Sequence, residues 1–160
     1  MLFRSTFRVF LPRVPVAAGA ETAALEPMPS GTETILLVED EEGVLTLVRK
    51  TLEQQGYTVL AATTSSAALA ACRGTPGPIH LLLTDVVMPE MGGCELAEQI
   101  RAVRPGIRVL FMSGYAADAR THRVPVPAGA PLVQKPFPRS TIARRVRDVL
   151  DAPPGPDAGP

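Results

Sequence analysis

Tryptophan is absent, and aromatic residues make up only 4% of the 160-residue chain. A stacking platform for single-stranded nucleic acid needs several exposed rings and is not expected here. Cysteine is almost as rare. Cys72 and Cys94 are the only two, too few for a disulfide framework or a Cys-rich metal site, so a reducing cytoplasm is the expected location. No apolar run approaches the roughly 18 residues of a membrane-spanning helix, and no membrane contact is expected of this chain. Neither sign of charge is in excess: sixteen basic and sixteen acidic residues cancel, which removes delocalised attraction to nucleic acid or to an anionic membrane. Lysine is scarce even among the basic residues. Lys50 and Lys135 are the only two, the others being arginine.

Hydrophobic residues, at 46% with 20% charged, are plentiful enough for a buried core. The ends read differently from the middle. Residues 1–32 read as a tail and linker, with Pro12, Pro15, Gly19, Pro27, Pro29 and Gly31 among runs of alanine. Residues 152–160 are rich in proline and glycine and read as a disordered tail. Ala18-Gly19-Ala20 resembles a signal-peptidase site, but Arg8, Pro12, Arg13 and Pro15 interrupt any apolar stretch before it, so no secretory leader is expected.

Between the tails, residues 33–151 alternate two periodicities. Thr34 to Val38 is a short apolar run that ends in Glu39-Asp40, as a strand buried on both faces would be. Val44, Leu45, Leu47, Val48 and Leu52 then recur at helical spacing and stop at Gly56. A second strand is expected at Tyr57–Leu60, a helix at Ser65–Cys72, a third strand at Leu81–Asp85, a helix at Cys94–Val103 and a fourth strand at Ile107–Met112. A fourth helix should begin near Ala116, shortened by Pro125 and Pro127. Leu132–Gln134 is a short fifth strand, and Ser140–Leu150 a closing helix with Ile142, Val146 and Val149 on one face. Five strands alternating with five helices predict an α/β fold with a doubly wound parallel sheet, whose ligands bind outside the carboxyl ends of the strands.

Those ends carry the chemistry. The first strand ends in Glu39-Asp40, the third in Asp85, the fourth in Ser113 and the fifth in Lys135. Clustered carboxylates repel unless a cation is present, and oxygen ligands with spare coordination sites suit Mg²⁺. A lone lysine is a compact charge able to hold an anion. Together these groups suit phosphoryl transfer, in which catalysis is mostly positioning and charge neutralisation. Each group alone has a plainer reading: Glu39 to Glu42 as acids at a helix start, Asp85 as a loop cap, Ser113 as a turn residue, Lys135 as a solvated lysine. His80 and His122 are isolated, which argues against metal binding, and Cys94 reads as a packing residue, although a helix N-terminus can lower a thiol pKa.

Four strings, Ile35-Leu36-Leu37-Val38-Glu39-Asp40-Glu41, Leu82 to Gly93 (LLTDVVMPEMGG), Phe111-Met112-Ser113-Gly114-Tyr115 and Lys135-Pro136-Phe137, resemble response-regulator receiver domains in content, order and spacing. The resemblance implies a flavodoxin-like (βα)5 sheet of strand order 2-1-3-4-5. It implies that Asp85 accepts a phosphoryl group from the phosphohistidine of a histidine kinase or phosphotransfer protein. Mg²⁺ would be held by Asp40, Asp85 and the backbone carbonyl of Val87, with Glu39 acting through water. Ser113 and Lys135 would meet the phosphoryl group, Lys135-Pro136 would be a cis peptide, and the loop after Asp85 would present backbone amides to phosphate oxygens. Such a module is a switch rather than an enzyme, beyond catalysing its own phosphorylation and slow dephosphorylation; any self-association would be a weak homodimer. Two departures stand out: Leu132 occupies the position usually held by a switching Tyr or Phe, and the fourth helix is interrupted by proline.

The tail carries a second resemblance. Ser5 to Arg13 looks like the closing strand of a histidine-kinase ATP-binding domain, the element that precedes the linker and receiver of a hybrid kinase. No phosphoacceptor histidine box or nucleotide-binding motif is present, so the chain is not expected to be a kinase itself, and residues 152–160 hold no helix-turn-helix, so no DNA-binding regulator is expected in this chain. The rival function is a docking module that binds a kinase or partner without being phosphorylated; Asp40, Asp85 and Lys135 argue against it. A Mg²⁺-dependent phosphohydrolase would need a carboxylate two positions after the nucleophile, where Val87 stands.

Overall fold

Strands covered on both faces are mostly apolar along their length, which places the most apolar runs at the centre of the sheet. The computed structural model describes residues 27–114 and 126–153. It has strands β1 (Thr34–Val38), β2 (Thr58–Ala62), β3 (Leu81–Asp85), β4 (Arg108–Ser113) and β5 (Leu132–Gln134), and helices α1 (Glu42–Gln54), α2 (Ser65–Gly74), α3 (Gly93–Val103) and α4 (Arg139–Asp151). The sheet runs β2-β1-β3-β4-β5 and every pair is parallel. The doubly wound topology is as the alternation predicts and the 2-1-3-4-5 order as the resemblance implies, and element ends differ from expectation by no more than two residues. The helix expected near Ala116 and His122 lie outside the described residues, as do the strand-like segment Ser5–Arg13 and residues 154–160.

The most apolar runs occupy the centre. Ile35 to Val38 in β1 and Leu81 to Leu83 in β3 are fully buried. Their alternation divides the core. Ile35, Leu37, Leu81 and Leu83 pack with Leu45, Val48 and Leu52 of α1 and Ile142 and Val146 of α4. Leu36, Val38 and Leu82 pack on the opposite face with Ala68 and Cys72 of α2 and Leu96, Ala97 and Ile100 of α3. The turn after α1 requires glycine: Gly56 has φ +93, and a Cβ there would press on the Gly31 carbonyl oxygen.

At the foot of the sheet, away from the carboxyl ends, polar contacts tie the chain together. The Gly31 amide, within the stretch expected as tail, donates to the Gln55 carbonyl at 3.0 Å. Nδ1 of His80 accepts from the Thr34 amide at 2.9 Å, standing in for a carbonyl where β1 begins. Arg104 donates to the carbonyls of Cys72, Thr75 and Gly77 and closes the loop after α2. Arg147 of α4 pairs with Glu33 at 2.8 Å and with Asp151 at 2.7 Å.

The Arg147 hydrogen bond holds the Glu33 carboxyl below its ordinary 4.5, against the opposing effect of burial. A carboxyl depressed in the folded state contributes stability above its unfolded value and loses it as pH falls through the folded one. Glu33→Gln should therefore melt earlier than the wild type at neutral pH, by no more than about 1 kcal/mol for so accessible a pair. The difference should shrink as pH falls below the ordinary 4.5 and vanish once pH has passed the lower folded value, where the Glu33 carboxyl is protonated in both states. Thermal melts across that range check it.

Candidate functional site

The carboxyl ends of the five parallel strands form one rim, and the chain crosses from strand to helix there with its polar residues. Glu39 directly follows β1 and is fully buried; Asp40 beside it is exposed. Asp85 ends β3 and Ser113 ends β4, both buried. Lys135 follows β5. Its amide donates to the Ser113 carbonyl at 2.7 Å, which continues the β4–β5 ladder by one step and fixes where the lysine side chain leaves the sheet. The Lys135–Pro136 bond is cis, as the resemblance implies.

The side chains converge. Carboxylate oxygens of Glu39, Asp40 and Asp85 all lie within 4.8 Å of one another. Nζ of Lys135 donates to Glu39 Oε2 and to Asp85 Oδ2, each at 2.6 Å, although Glu39 and Lys135 are 96 positions apart in the chain. The other oxygen of each acid caps its own loop, Glu39 Oε1 accepting from the Glu41 amide and Asp85 Oδ1 from the Val87 amide, both at 3.3 Å. Loop capping and clustering thus coexist at these two acids.

Burial raises the pKa of Glu39; the hydrogen bond from Lys135 opposes this without cancelling it. Burial pulls Lys135 down, but its hydrogen bonds to Asp85 and Glu39 outweigh that, and the ammonium ends above its ordinary value. A charged lysine is therefore a fixed part of the rim at neutral pH. The Cys94 thiol is pushed up, first by burial and then by Glu98, so the packing reading holds and the helix N-terminus does not activate it.

The loop from β3 to α3 is shaped around Asp85. The Val86 amide donates to the Met112 carbonyl at 2.9 Å, and the Gly93 amide to the Val86 carbonyl at 3.0 Å. Val86 and Met88 are buried while Val87 between them is 54% exposed. The structure therefore brings Glu39, Asp40, Asp85 and Lys135 into one cluster, with Ser113 buried on the adjoining strand end and Val87 attached through its amide. Sequence reasoning missed the residues behind this loop. The Ser65 hydroxyl donates to the Met91 carbonyl at 2.8 Å, and Ser66 to the Glu90 carboxylate at 3.0 Å. The only available signal was the polar run Thr63-Thr64-Ser65-Ser66 at the end of β2.

Three clustered oxygen ligands and no nitrogen or sulfur among them suit a small hard cation that keeps part of its water shell, and Mg²⁺ fits that description. A doubly wound sheet with an acidic rim closed by one lysine is the architecture of a CheY-like receiver. Residues 35–147 match the family described as "Response regulator receiver domain". The chain belongs to that family, and it is a phosphoacceptor module of two-component signalling. It is 36% identical over 156 residues to "Sensor kinase CckA" of Brucella abortus, covering 92% of this chain but 16% of the kinase. It is 35% identical to "Response regulator receiver protein CpdR" of the same organism, covering 74% of this chain and 97% of CpdR. Among solved structures, the receiver domain of hybrid histidine kinase CckA superposes with a TM-score of 0.62 at 33% identity, over 74% of this chain and 99% of that one. A CheY-like receiver from Methanospirillum hungatei JF-1 gives 0.62 at 28%, over 76% and 95%. Among the described residues, no helix is long and apolar enough to cross a membrane.

Gly93 tests the tightness of the loop. A Cβ at this position would overlap the Asp85 carbonyl oxygen and crowd Thr84 Cγ2. Glycine to alanine inside a helix ordinarily stabilises by up to about 1 kcal/mol. Here the clash is with backbone, and Gly93→Ala should destabilise by roughly 1–3 kcal/mol, the cost of overpacking. A lowered melting temperature checks the sign.

Proposed function

We propose that Asp85 accepts the phosphoryl group, with Lys135 and Ser113 as its catalytic partners and with Mg²⁺ held by Asp40, Asp85, the Val87 carbonyl and, through water, Glu39. The observation that carries this reading is the 2.6 Å pair of contacts from Lys135 to Glu39 and Asp85 within the acidic cluster. Three carboxylates against one ammonium leave two negative charges when all are ionised, which is the charge a divalent cation balances. Bound there, Mg²⁺ would neutralise phosphate oxygens and the attacking carboxylate together. In the transfer, an oxygen of Asp85 forms a bond to phosphorus as the P–N bond of a phosphohistidine breaks, its electron pair returning to the imidazole of the donor. An ammonium has three donor protons, and two serve Glu39 and Asp85 here; the third meets an incoming phosphoryl oxygen. The Ser113 hydroxyl bonds another such oxygen and favours the switched state. The module performs no chemistry on other substrates beyond its own phosphorylation and slow dephosphorylation.

The receiver unit is taken as residues 33–151, flanked by a tail and linker over 1–32 and a second tail over 152–160. The partner is a histidine kinase or phosphotransfer protein, and the cytoplasm is where such a partner presents its phosphohistidine. A place behind a kinase core is supported by the reach of the alignments. Sensor kinase CckA aligns over 92% of the chain and the lone receiver CpdR over 74%. The added span takes in residues outside the receiver, where Ser5 to Arg13 resembles a kinase's closing strand.

Intact-mass analysis after acetyl phosphate and Mg²⁺ tests the assignment. The wild type should gain one phosphoryl group and Asp85→Asn none; equal labelling of both would refute it. Ser113→Ala should still label, yet show smaller amide shifts in β5 than the wild type when beryllofluoride is added.

A further inference from the structure

The loop that carries Asp85 and Val87 is fastened at both ends, and only one fastening belongs to the sheet. At its start, Val86 is bonded to β4 and buried. At its far end, besides the Gly93 amide's bond back to the Val86 carbonyl, two attachments come from the first two residues of α2. The Ser65 hydroxyl, on a residue 2% exposed, donates to the Met91 carbonyl across 26 positions of sequence. The Ser66 hydroxyl donates to Glu90 Oε2 at 3.0 Å. That hydroxyl has one proton and spends it on Glu90, so Thr64, 3.0 Å away, must donate to Ser66 while accepting from the Ala67 amide at 3.1 Å. One chain of hydrogen bonds therefore runs from the helix cap into the loop, and the Glu90 charge lies where the helix dipole favours an anion.

We propose that this clasp positions the Val87 carbonyl and the Asp85 carboxylate for the cation, so that Ser65, Ser66 and Glu90 are positioning residues for the phosphoacceptor site. The inference rests on the site reading given above. Val87 stands between the two fastenings and its half-exposed side chain offers little packing to hold it. A carbonyl held in this way shifts whenever either fastening is lost. Removing the Ser65 hydroxyl leaves the part-buried Met91 carbonyl without its side-chain donor.

The test titrates Mg²⁺ alone against the full chain, with thermal melting in parallel. Ser65→Ala and Glu90→Ala should weaken Mg²⁺ about tenfold, the lower end of what outer-shell partners contribute to metal affinity. Glu90→Gln keeps an oxygen that accepts from Ser66 and should bind as the wild type does. Thr51→Val removes a comparable buried hydroxyl bond, to the Leu47 carbonyl within α1, and should cost stability without changing Mg²⁺ affinity. Wild-type affinity in Ser65→Ala and Glu90→Ala, beside a crippled Asp40→Ala, overturns the clasp alone. An equal loss in Thr51→Val overturns it as well, since the effect is then general destabilisation. Wild-type affinity in Asp40→Ala overturns the acidic-site reading and the clasp with it. If Ser65→Ala does not fold, the exposed Glu90→Ala and Glu90→Gln pair decides.

Discussion

The ammonium of Lys135 between Glu39 and Asp85 is the interaction on which the rim depends. Two buried carboxylates placed side by side repel, and each loses hydration; removing a charge from water costs several kcal/mol even after relaxation. The lysine supplies the opposite charge at 2.6 Å to both. The core beneath makes this tolerable. Each fully buried Leu, Ile or Val side chain contributes about 1.5–3 kcal/mol, and β1 and β3 alone bury seven of them completely. The apolar centre thus offsets a polar rim that would not form on its own, and with all three carboxylates ionised the rim carries two negative charges beyond what Lys135 balances.

The same arrangement explains why the site is switchable. A phosphoryl group on Asp85 would turn that carboxylate into a neutral acyl oxygen and bring phosphoryl oxygens to Lys135, so the lysine's contact would pass from the carboxylate to the new anion. The Lys135 backbone is bonded to Ser113. A change at the ammonium is therefore felt at the ends of β4 and β5 together. Leu132 in β5 pairs with Phe111 of β4, so the end of β5 is tied to β4 through backbone and apolar packing.

Much of this was legible in the sequence because it rests on runs and ends. The continuous apolar stretches at Ile35–Val38 and Leu81–Leu83 could only be central strands, and once the strands were set, Asp40, Asp85 and Lys135 had to share a rim. What stayed hidden depends on pairings between ordinary residues far apart. His80 carries no sign of its bond to the Thr34 amide, and Ser65 looks like any residue at a helix start. Gly31 read as linker, yet it closes against the turn at Gly56. In each case the partner is chosen by the folded geometry, with no local spacing to mark it.

The central claim is that Asp85, Asp40 and Lys135 form one phosphoacceptor site. A crystal structure of the chain grown with Mg²⁺ and beryllofluoride examines it most directly. The account predicts beryllofluoride on an Asp85 oxygen, with Lys135 Nζ in contact with a fluorine and Mg²⁺ between Asp40 and Asp85. Beryllofluoride on another carboxylate, or Mg²⁺ bound away from this pair, would contradict it.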